Sequence, residues 1–236
     1  GYQGEPKRIS HMKFGITVSQ INEVDLVVQA ENAGYDFCWV WDSPMIRSNL
    51  WALLALVAER TSRISIGPGV AIPALSMAPV TANAIATINA IAPGRTFLGV
   101  GTGNTALRAM GQVPMTIQAL EAQLKVIRGL LAGETVAYEA NGINEDIAFQ
   151  SLELGCINLD DPIPIHISGF GPKAQALAGE YGDGLITGIP RGGTIPNALA
   201  NVKVGADRAG RALAKFETYA LVNLMLLRPG ETLQSA

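Results

Sequence analysis

The fold of this chain is constrained most by two segments of the same kind. In each, an apolar strand leads directly into glycines and then into a helix. They are Leu98-Gly99-Val100-Gly101-Thr102-Gly103-Asn104 and Ile165-His166-Ile167-Ser168-Gly169-Phe170-Gly171-Pro172-Lys173. Parallel α/β proteins use this arrangement to expose backbone N–H groups at the carboxyl ends of their strands, where a helix N-terminus can bind an anion. The two segments therefore predict an α/β enzyme that binds an anionic small molecule.

The rest of the chain alternates between strand and helix patterns. Strands are predicted at 13–18, 37–41, 64–70, 96–100, 163–168, 184–187 and 219–227. The predicted helices include one that Asn22 caps, one marked by Leu50, Leu53, Leu54 and Val57, one that begins near Pro79, and those at 117–131, 173–180 and 198–209. A hairpin is predicted with strands at 135–139 and 147–151 on either side of Asn141-Gly142.

Strands that are apolar on both sides and separated by helices predict a parallel sheet covered on both faces, either doubly wound or closed as a (β/α)8 barrel. Glycine motifs after several strands favour the barrel. A dinucleotide-binding domain places its glycine fingerprint after the first strand, and the strand that begins at Phe14 has none.

Composition narrows the class of protein. The 236 residues are 48% hydrophobic and 16% charged with a net charge of -3, which predicts a soluble, single-domain chain without a basic surface for nucleic acid. The longest apolar run, 50–58, is shorter than the roughly 18 residues of a membrane span. We expect a cytoplasmic protein in which Cys38 and Cys156 stay reduced. Residues 1–11 are interpreted as an expression-tag remnant before Met12, and residues 12–236 as the domain.

Six stretches in order along the chain resemble the bacterial-luciferase-like superfamily, which includes flavin monooxygenases and coenzyme F420-dependent reductases. They are Phe37 to Asp42 (FCWVWD), Ile66 to Val70 (IGPGV), Ala92 to Gly101 (APGRTFLGVG), Glu121 to Gly133 (EAQLKVIRGLLAG), Pro164 to Pro172 (PIHISGFGP) and Ala178 to Gly184 (AGEYGDG). The resemblance runs from Met12 to about Arg228.

The resemblance implies a TIM-like (β/α)8 barrel that holds FMN or coenzyme F420 at the carboxyl ends of its strands, with residues 134–162 as an insertion. It also implies a cis peptide bond between Gly69 and Val70, where the family's third strand bulges behind the cofactor ring. A closed barrel has eight strands and typically about 250 residues. Since the sequence predicts seven strands, we expect the C-terminal strand–helix unit to be missing from this chain.

The phosphate of the cofactor is assigned to the segment Ser168, Gly169, Phe170, Gly171 and Pro172. Pro172 suits the first turn of a helix and leaves neighbouring amides available for an anion. The family's fifth-strand loop contacts the cofactor phosphate, so the two arguments agree. Thr187 and Gly188, at the end of the next strand, are expected to line the same pocket. A tight turn whose glycines serve packing alone is the alternative.

The resemblance places the ring and the substrate near Gly69, Val70, Thr102, Gly103 and Asn104. Many members of the superfamily carry a catalytic histidine where this chain has Ser43, and a hydroxyl does not titrate near neutral pH as imidazole does. Asp42 is therefore the candidate acid or base, with a turn or capping role as the alternative.

Three further side chains near these segments are interpreted as structural. His166 is expected to be a core histidine or to face the barrel lumen, and Trp39 and Trp41 are expected to pack rather than to stack on a ring.

The sequence leaves the activity between hydride transfer with F420 and monooxygenation with reduced FMN, the latter supplied by a separate flavin reductase. A non-catalytic or shortened flavin-binding barrel is the second hypothesis, and a sugar- or phosphate-binding barrel is a third. We expect a small-molecule substrate, no bound metal and a homodimer.

Overall fold

The computed structural model describes residues 12–188 and 194–222, together with Leu227 and Thr232. They form two compact units, the first ending at Ile165 and the second beginning at His166. Residues 1–11, and residues 223–226 of the strand predicted at 219–227, lie outside the described residues. The single-domain interpretation of residues 12–236 stays a prediction.

The first unit contains a parallel sheet in which β2 (Phe37–Val40) lies between β1 (Gly15–Val18) and β3 (Ser65–Pro68). Phe37 lies opposite Gly15 on one side and opposite Ser65 on the other. A further strand, β4 (Leu98–Val100), follows, and parallel bridges join Ile66 to Thr96 and Ala71 to Val100. The four strands predicted in this part of the chain are confirmed, each shorter than predicted.

Five helices accompany these strands. They are α1 (Val24–Asn32), α2 (Leu50–Arg60), α3 (Ala78–Ile91), α4 (Asn104–Ala109) and α5 (Ile117–Leu131). The side chain of Asn49 begins α2 by accepting a hydrogen bond from the Ala52 amide at 3.1 Å. The residues that marked α2 in the sequence, Leu50, Leu53, Leu54 and Val57, are all at most 2% exposed. The period of three and four therefore identified the buried face correctly.

The predicted cap at Asn22 is wrong. A short 3-10 turn, Ile21–Glu23, precedes α1, and the Glu23 carboxylate accepts the amides of Ser19 at 2.6 Å and Gln20 at 2.9 Å. A carboxylate is a stronger acceptor for these amides than an amide side chain. The charged residue three positions after Gln20 therefore orders the start of the helix.

Two helices, α4 and α5, follow β4, where the apolar periodicity identified one. Gly103 precedes α4 with a φ of 75°, and a Cβ on it would lie 2.5 Å from Cγ2 of Ile72. Only glycine fits this left-handed, crowded position. The bounds predicted for α5 are confirmed.

The hairpin consists of β5 (Val136–Ala140) and β6 (Ile143–Ile147). Asn141 and Gly142 form its turn, with φ values of 54° and 75°. The second strand was predicted at 147–151, and that placement is wrong. A two-residue turn pairs Ala140 with Ile143 directly, which moves the strand back along the chain.

The end of the predicted insertion, 134–162, is attached to α3 through Asn89, which is fully buried. The Asn89 amide group donates to the carbonyls of Asn158 at 3.0 Å and Asp161 at 2.9 Å. Its oxygen accepts from the Thr96 hydroxyl at 2.6 Å. Every polar atom of this buried side chain is therefore hydrogen-bonded, and its NH2 group holds the end of the insertion in place.

The second unit contains the strand β7 (Ile165–Ser168) from His166 onward, together with β8 (Gly184–Gly188) and β9 (Glu217–Leu221). The three strands are parallel, with β8 in the middle. Its helices are α6 (Pro172–Tyr181) and α7 (Ile195–Arg208). A Cβ on Gly179 would lie 1.9 Å from the Val202 carbonyl oxygen, and one on Gly205 would lie 1.8 Å from that of Ala176. The two helices therefore pack backbone against backbone where these glycines meet.

The α/β class and the parallel strands with intervening helices are confirmed. A closed eight-stranded barrel is not formed by the described residues, and the missing C-terminal unit stays a prediction. Among the described helices, none combines the length and the apolar character that crossing a membrane requires.

Candidate active site

The residues predicted to bind a ligand fall into two groups, one in each unit. In the first unit, Asp42 and Ser43 follow β2, Gly69 and Val70 follow β3, and 102–104 follow β4. The second group lies at the ends of β7 and β8.

The segment that follows β3 connects the ends of β2 and β4. The Gly69 amide donates to the Val40 carbonyl at 2.7 Å, and the Ala71 amide donates to the Gly99 carbonyl at 2.8 Å. Gly101 returns a bond to the Ala71 carbonyl at 3.1 Å. The first group is therefore brought together by main-chain hydrogen bonds, which hold its backbone in one conformation.

The Gly69–Val70 peptide bond is cis, which confirms the expectation from the resemblance. A Cβ on Gly69 would lie 2.5 Å from the Cβ of Trp39. The main chain therefore passes directly against this tryptophan, and only glycine fits between them.

Asp42 lies beside this segment and accepts a hydrogen bond from the Ile72 amide at 3.2 Å. Burial raises the pKa of the Asp42 carboxyl to about 6, and the bond from Ile72 opposes the rise. A carboxyl that titrates near neutral pH can both take up and release a proton under working conditions. This is the property that a catalytic acid or base requires.

Ser43 lies next to Asp42 at the start of a turn. Its carbonyl accepts the amides of Ile46 at 3.1 Å and Arg47 at 2.9 Å. The backbone of Ser43 thus has a structural role, and its hydroxyl offers hydrogen bonding without a titratable charge.

Thr102, Gly103 and Asn104 form the start of α4. The Thr102 carbonyl accepts from the Met115 amide at 2.9 Å, and the Asn104 side-chain oxygen accepts from Arg108 at 2.8 Å. The Thr102 hydroxyl and the Asn104 NH2 group remain as polar groups that a ligand can contact.

Ile72 is the residue of this group that sequence reasoning missed. Its amide contacts Asp42 and its side chain lies against Gly103, so it joins the loops after β2 and β4. It carries no polar side chain, and nothing in its sequence context indicates this role.

The aromatic residues near β2 contact neighbouring side chains. The Trp39 ring stacks on Phe37 with 5.3 Å between centroids and lies 5.7 Å from the ring of Phe97. The Trp41 ring has the Arg47 guanidinium 5.7 Å from its centroid.

In the second unit, the segment Ser168 to Pro172 lies against the end of β8. The Gly169 amide donates to the Ile186 carbonyl at 2.9 Å, and the Thr187 hydroxyl donates to the Gly169 carbonyl at 2.8 Å. A Cβ on Gly188 would lie 3.1 Å from the Phe170 ring. The structure therefore brings the predicted phosphate segment together with Thr187 and Gly188. Thr187 itself is fully buried beneath the loop.

Several backbone amides at the N-terminus of α6 have no hydrogen-bond acceptor among the described residues. The first backbone bond of the helix joins the Gln175 amide to the Gly171 carbonyl at 3.0 Å, and Pro172 has no N–H. In the described part of the chain, the N–H groups of Phe170, Gly171, Lys173 and Ala174 therefore remain for a ligand. Unbonded N–H groups at the positive end of a helix dipole suit a phosphate.

His166 lies within β7 and is 2% exposed. Burial lowers the pKa of its imidazole to about 4, which the carboxylates of Glu217 and Asp183 oppose. Its ring lies 4.7 Å from that of Tyr219. It is therefore a buried histidine that is neutral at pH 7.

Neither cysteine forms a disulfide, as predicted. Cys38 is buried and Cys156 is exposed. Burial raises the pKa of the Cys38 thiol to about 12, with a contribution from the charge of Glu23. Within residues 12–188 and 194–222, no group of three or more potential metal ligands occurs.

The family model for luciferase-like monooxygenases matches residues 15–234. The chain belongs to the luciferase-like monooxygenase family. The family membership that six sequence stretches indicated is therefore confirmed.

Within the luciferase-like family, the chain is similar to enzymes with different substrates. It is 32% identical over 221 residues to a 5,10-methylenetetrahydromethanopterin reductase of Archaeoglobus fulgidus. This match covers 90% of this chain and 64% of the relative. It is 31% identical over 215 residues to an F420-dependent glucose-6-phosphate dehydrogenase of Nakamurella multipartita. This match covers 82% of this chain and 60% of the relative. The chain thus spans less than two thirds of the length of these curated relatives.

The fold is similar to that of a solved luciferase-like enzyme. An F420-dependent secondary alcohol dehydrogenase in complex with an F420-acetone adduct superposes with a TM-score of 0.76 at 25% identity. The match covers 89% of this chain and 68% of that structure.

Proposed function

We propose that the protein is a coenzyme F420-dependent oxidoreductase that transfers hydride between the cofactor and a small organic substrate. The names of two similar proteins, the glucose-6-phosphate dehydrogenase and the secondary alcohol dehydrogenase, specify F420. When bound, F420 supplies a ring that accepts or donates a hydride, and the protein supplies binding and orientation.

The observation that carries this proposal is the set of four amides at the N-terminus of α6. The phosphate of F420 is a diester with one negative charge, whereas the phosphate monoester of FMN carries nearly two at neutral pH. Lys173 is the one cationic side chain of the segment 168–173. Neutral amides with a single lysine match the singly charged diester better, which favours F420 over FMN.

In the first unit, we assign contacts with the ring and the substrate to Gly69, Val70, Thr102, Gly103 and Asn104. The Thr102 hydroxyl and the Asn104 NH2 group are suited to donate hydrogen bonds to carbonyl oxygens of the ring. This assignment is supported by the main-chain bonds that gather these loops.

Asp42 is the residue that we propose exchanges a proton with the substrate. Hydride removal from an alcohol also requires loss of the hydroxyl proton, and the reverse reaction requires its return. The carboxyl of Asp42 supports this role because its pKa is raised to about 6 by burial. Ser43 is positioned next to it in the chain and is assigned a hydrogen bond to the substrate.

Titration of the purified protein with F420 and with FMN, followed by absorbance and fluorescence, tests the proposal. We expect F420 to bind more tightly than FMN. The variant Lys173→Ala is expected to weaken F420 binding by about threefold to tenfold, the effect of one charge-assisted contact. Lys203→Ala is the matched control, because Lys203 is exposed on α7 and paired with Asp207. Tighter binding of FMN, or no binding of either cofactor, would overturn the proposal.

A non-catalytic flavin-binding protein is the second candidate, and the serine at position 43 favours it. Binding of F420 without hydride transfer from any alcohol or to any imine tested would support this candidate. Turnover that requires reduced FMN and oxygen would instead indicate a monooxygenase that depends on a separate flavin reductase.

We also propose a homodimer in the cytoplasm. The helix α3 contains no charged residue, and it packs beside α2. Leu56 on α2 and Val80 on α3 are 44% and 48% exposed, which makes these helices the proposed interface. The two free cysteines are typical of a reducing compartment. Light scattering during gel filtration measures the oligomeric state, and a monomer would refute this part.

A further inference from the structure

Gln175 is a polar residue buried where an apolar one would be expected. It lies in the first turns of α6 and is 4% exposed. Burying an amide side chain costs free energy unless both of its polar ends are hydrogen-bonded. The partners of these two ends therefore indicate what the residue does.

One end of Gln175 is held by α7. The Asn201 NH2 group donates to Oε1 of Gln175 at 2.8 Å. This bond uses the oxygen end of the planar Gln175 amide on the side of α7. The NH2 group of Gln175 must then face the other way.

The other end of Gln175 faces the loop after β7. Its Nε2 atom lies 3.4 Å from the carbonyl oxygen of Gly169, which also accepts the Thr187 hydroxyl at 2.8 Å. Two donors from different elements thus converge on one carbonyl. A Cβ on Gly169 would lie 3.0 Å from the backbone of Ala174 and Gln175, so the loop lies directly on the first turn of α6.

The direction of the Gly169 carbonyl sets the direction of the next amide. In a trans peptide the carbonyl of one residue and the N–H of the next point in opposite directions. With the Gly169 carbonyl turned toward Gln175 and Thr187, the Phe170 N–H is turned away from both. No described residue accepts a bond from it.

We infer that Gln175, oriented by Asn201, is a positioning residue that holds the Phe170 amide in the direction needed to bind the cofactor phosphate. This inference rests on the proposed function. It adds a hydrogen-bonded connection from α7 through α6 to the loop, and it assigns Gln175 and Asn201 to cofactor affinity rather than to the hydride transfer itself.

Cofactor titrations of the whole protein test the inference. The variant Gln175→Met keeps the side-chain volume and removes both polar ends. It is expected to raise the Kd for F420 about fivefold, the typical effect of one hydrogen bond. The kcat at saturating F420 and the KM for the substrate are expected to stay unchanged.

Asn201→Ala provides a second variant that reaches the loop only through Gln175. We expect it to weaken F420 binding to a similar extent, and the double variant to bind no more weakly than Gln175→Met alone. If Gln175→Met does not fold, the comparison of Asn201→Ala with the unaltered protein still decides the question.

Val202→Ala is the matched control for lost stability. Val202 is fully buried on α7 beside Asn201, and none of its side-chain atoms bonds to the loop. It is expected to lower Tm and to leave the Kd for F420 unchanged. An unchanged Kd in both Gln175→Met and Asn201→Ala, or a Kd that rises equally in Val202→Ala, would overturn the inference. Failure of the unaltered protein to bind F420 would instead overturn the proposed function.

Discussion

Replacing Asp42 with asparagine is expected to make the protein more stable at neutral pH while lowering its activity. Burial raises the pKa of this carboxyl in the folded protein to about 6 from a usual value of 3.8. The folded state therefore favours the protonated form more than the unfolded state does. Ionised Asp42 destabilises the fold above about pH 6, and this destabilisation disappears as the pH falls below about 4.

The size of the effect follows from the shift. About two pKa units at 1.36 kcal/mol each give an upper limit of roughly 3 kcal/mol for a fully buried group. Asp42 is partly exposed, so solvent screening reduces the expected gain to about 1–2 kcal/mol. The asparagine oxygen can still accept the Ile72 amide, so the existing hydrogen bond is kept.

Urea unfolding at about pH 7.5 and about pH 3.5 measures this gain. Asp42→Asn should be the more stable protein at the higher pH and equal to the unaltered protein at the lower pH. Its activity should fall, and the change in rate near pH 6 should disappear from its pH profile. Asp36→Asn is the control, since Asp36 also accepts one backbone amide, that of Phe14 at 2.9 Å. Equal stability of Asp42→Asn and the unaltered protein at both pH values would refute the reasoning.

Three further substitutions test other parts of the structure. Burial by itself raises the pKa of the Glu31 carboxyl. Hydrogen bonds from the backbone amides of Ile64, Arg63 and Ser62, with the charge of Arg63, lower it by more, so the net shift of the pKa is downward. Glu31→Gln should therefore lower the free energy of unfolding, measured in urea, by about 1–2 kcal/mol at neutral pH. The difference from the unaltered protein should shrink as the pH falls and the Glu31 carboxylate is protonated. Gly69→Ala should abolish ring binding, because its Cβ would overlap Trp39; normal F420 affinity with an unchanged fold would contradict this. Asn89→Ala should lower the free energy of unfolding by about 2–4 kcal/mol by removing three buried hydrogen bonds, and proteolysis should then cut the chain near Asn158.

The elements of the fold could be predicted from the sequence because their signals are local. Leu50, Leu53, Leu54 and Val57 repeat at helical spacing, and all four are buried as that spacing requires. Asn141-Gly142 marks a two-residue turn by its residue types. The predictions failed where two local signals competed, as at Asn22, where the Glu23 carboxylate caps the turn instead.

Part of the candidate site was also predictable. Glycines after apolar strands identified the loops at 69–70, 101–103 and 168–171, because glycine is needed where chains approach closely or φ is positive. The family resemblance supplied the chemistry that such loops serve. The choice of Asp42 rested only on its place after a strand.

What the sequence by itself determined, then, is the order of strands and helices and the places where backbone amides become available. The tertiary structure decided which groups meet. The Ile72 amide reaches Asp42 across 30 residues, and Asn89 reaches Asp161 across 72. Gln175 and Asn201, 26 residues apart, meet only because α6 and α7 pack closely at Gly179 and Gly205. Such pairs depend on how whole elements pack, and no periodicity or turn signal along the chain encodes that packing.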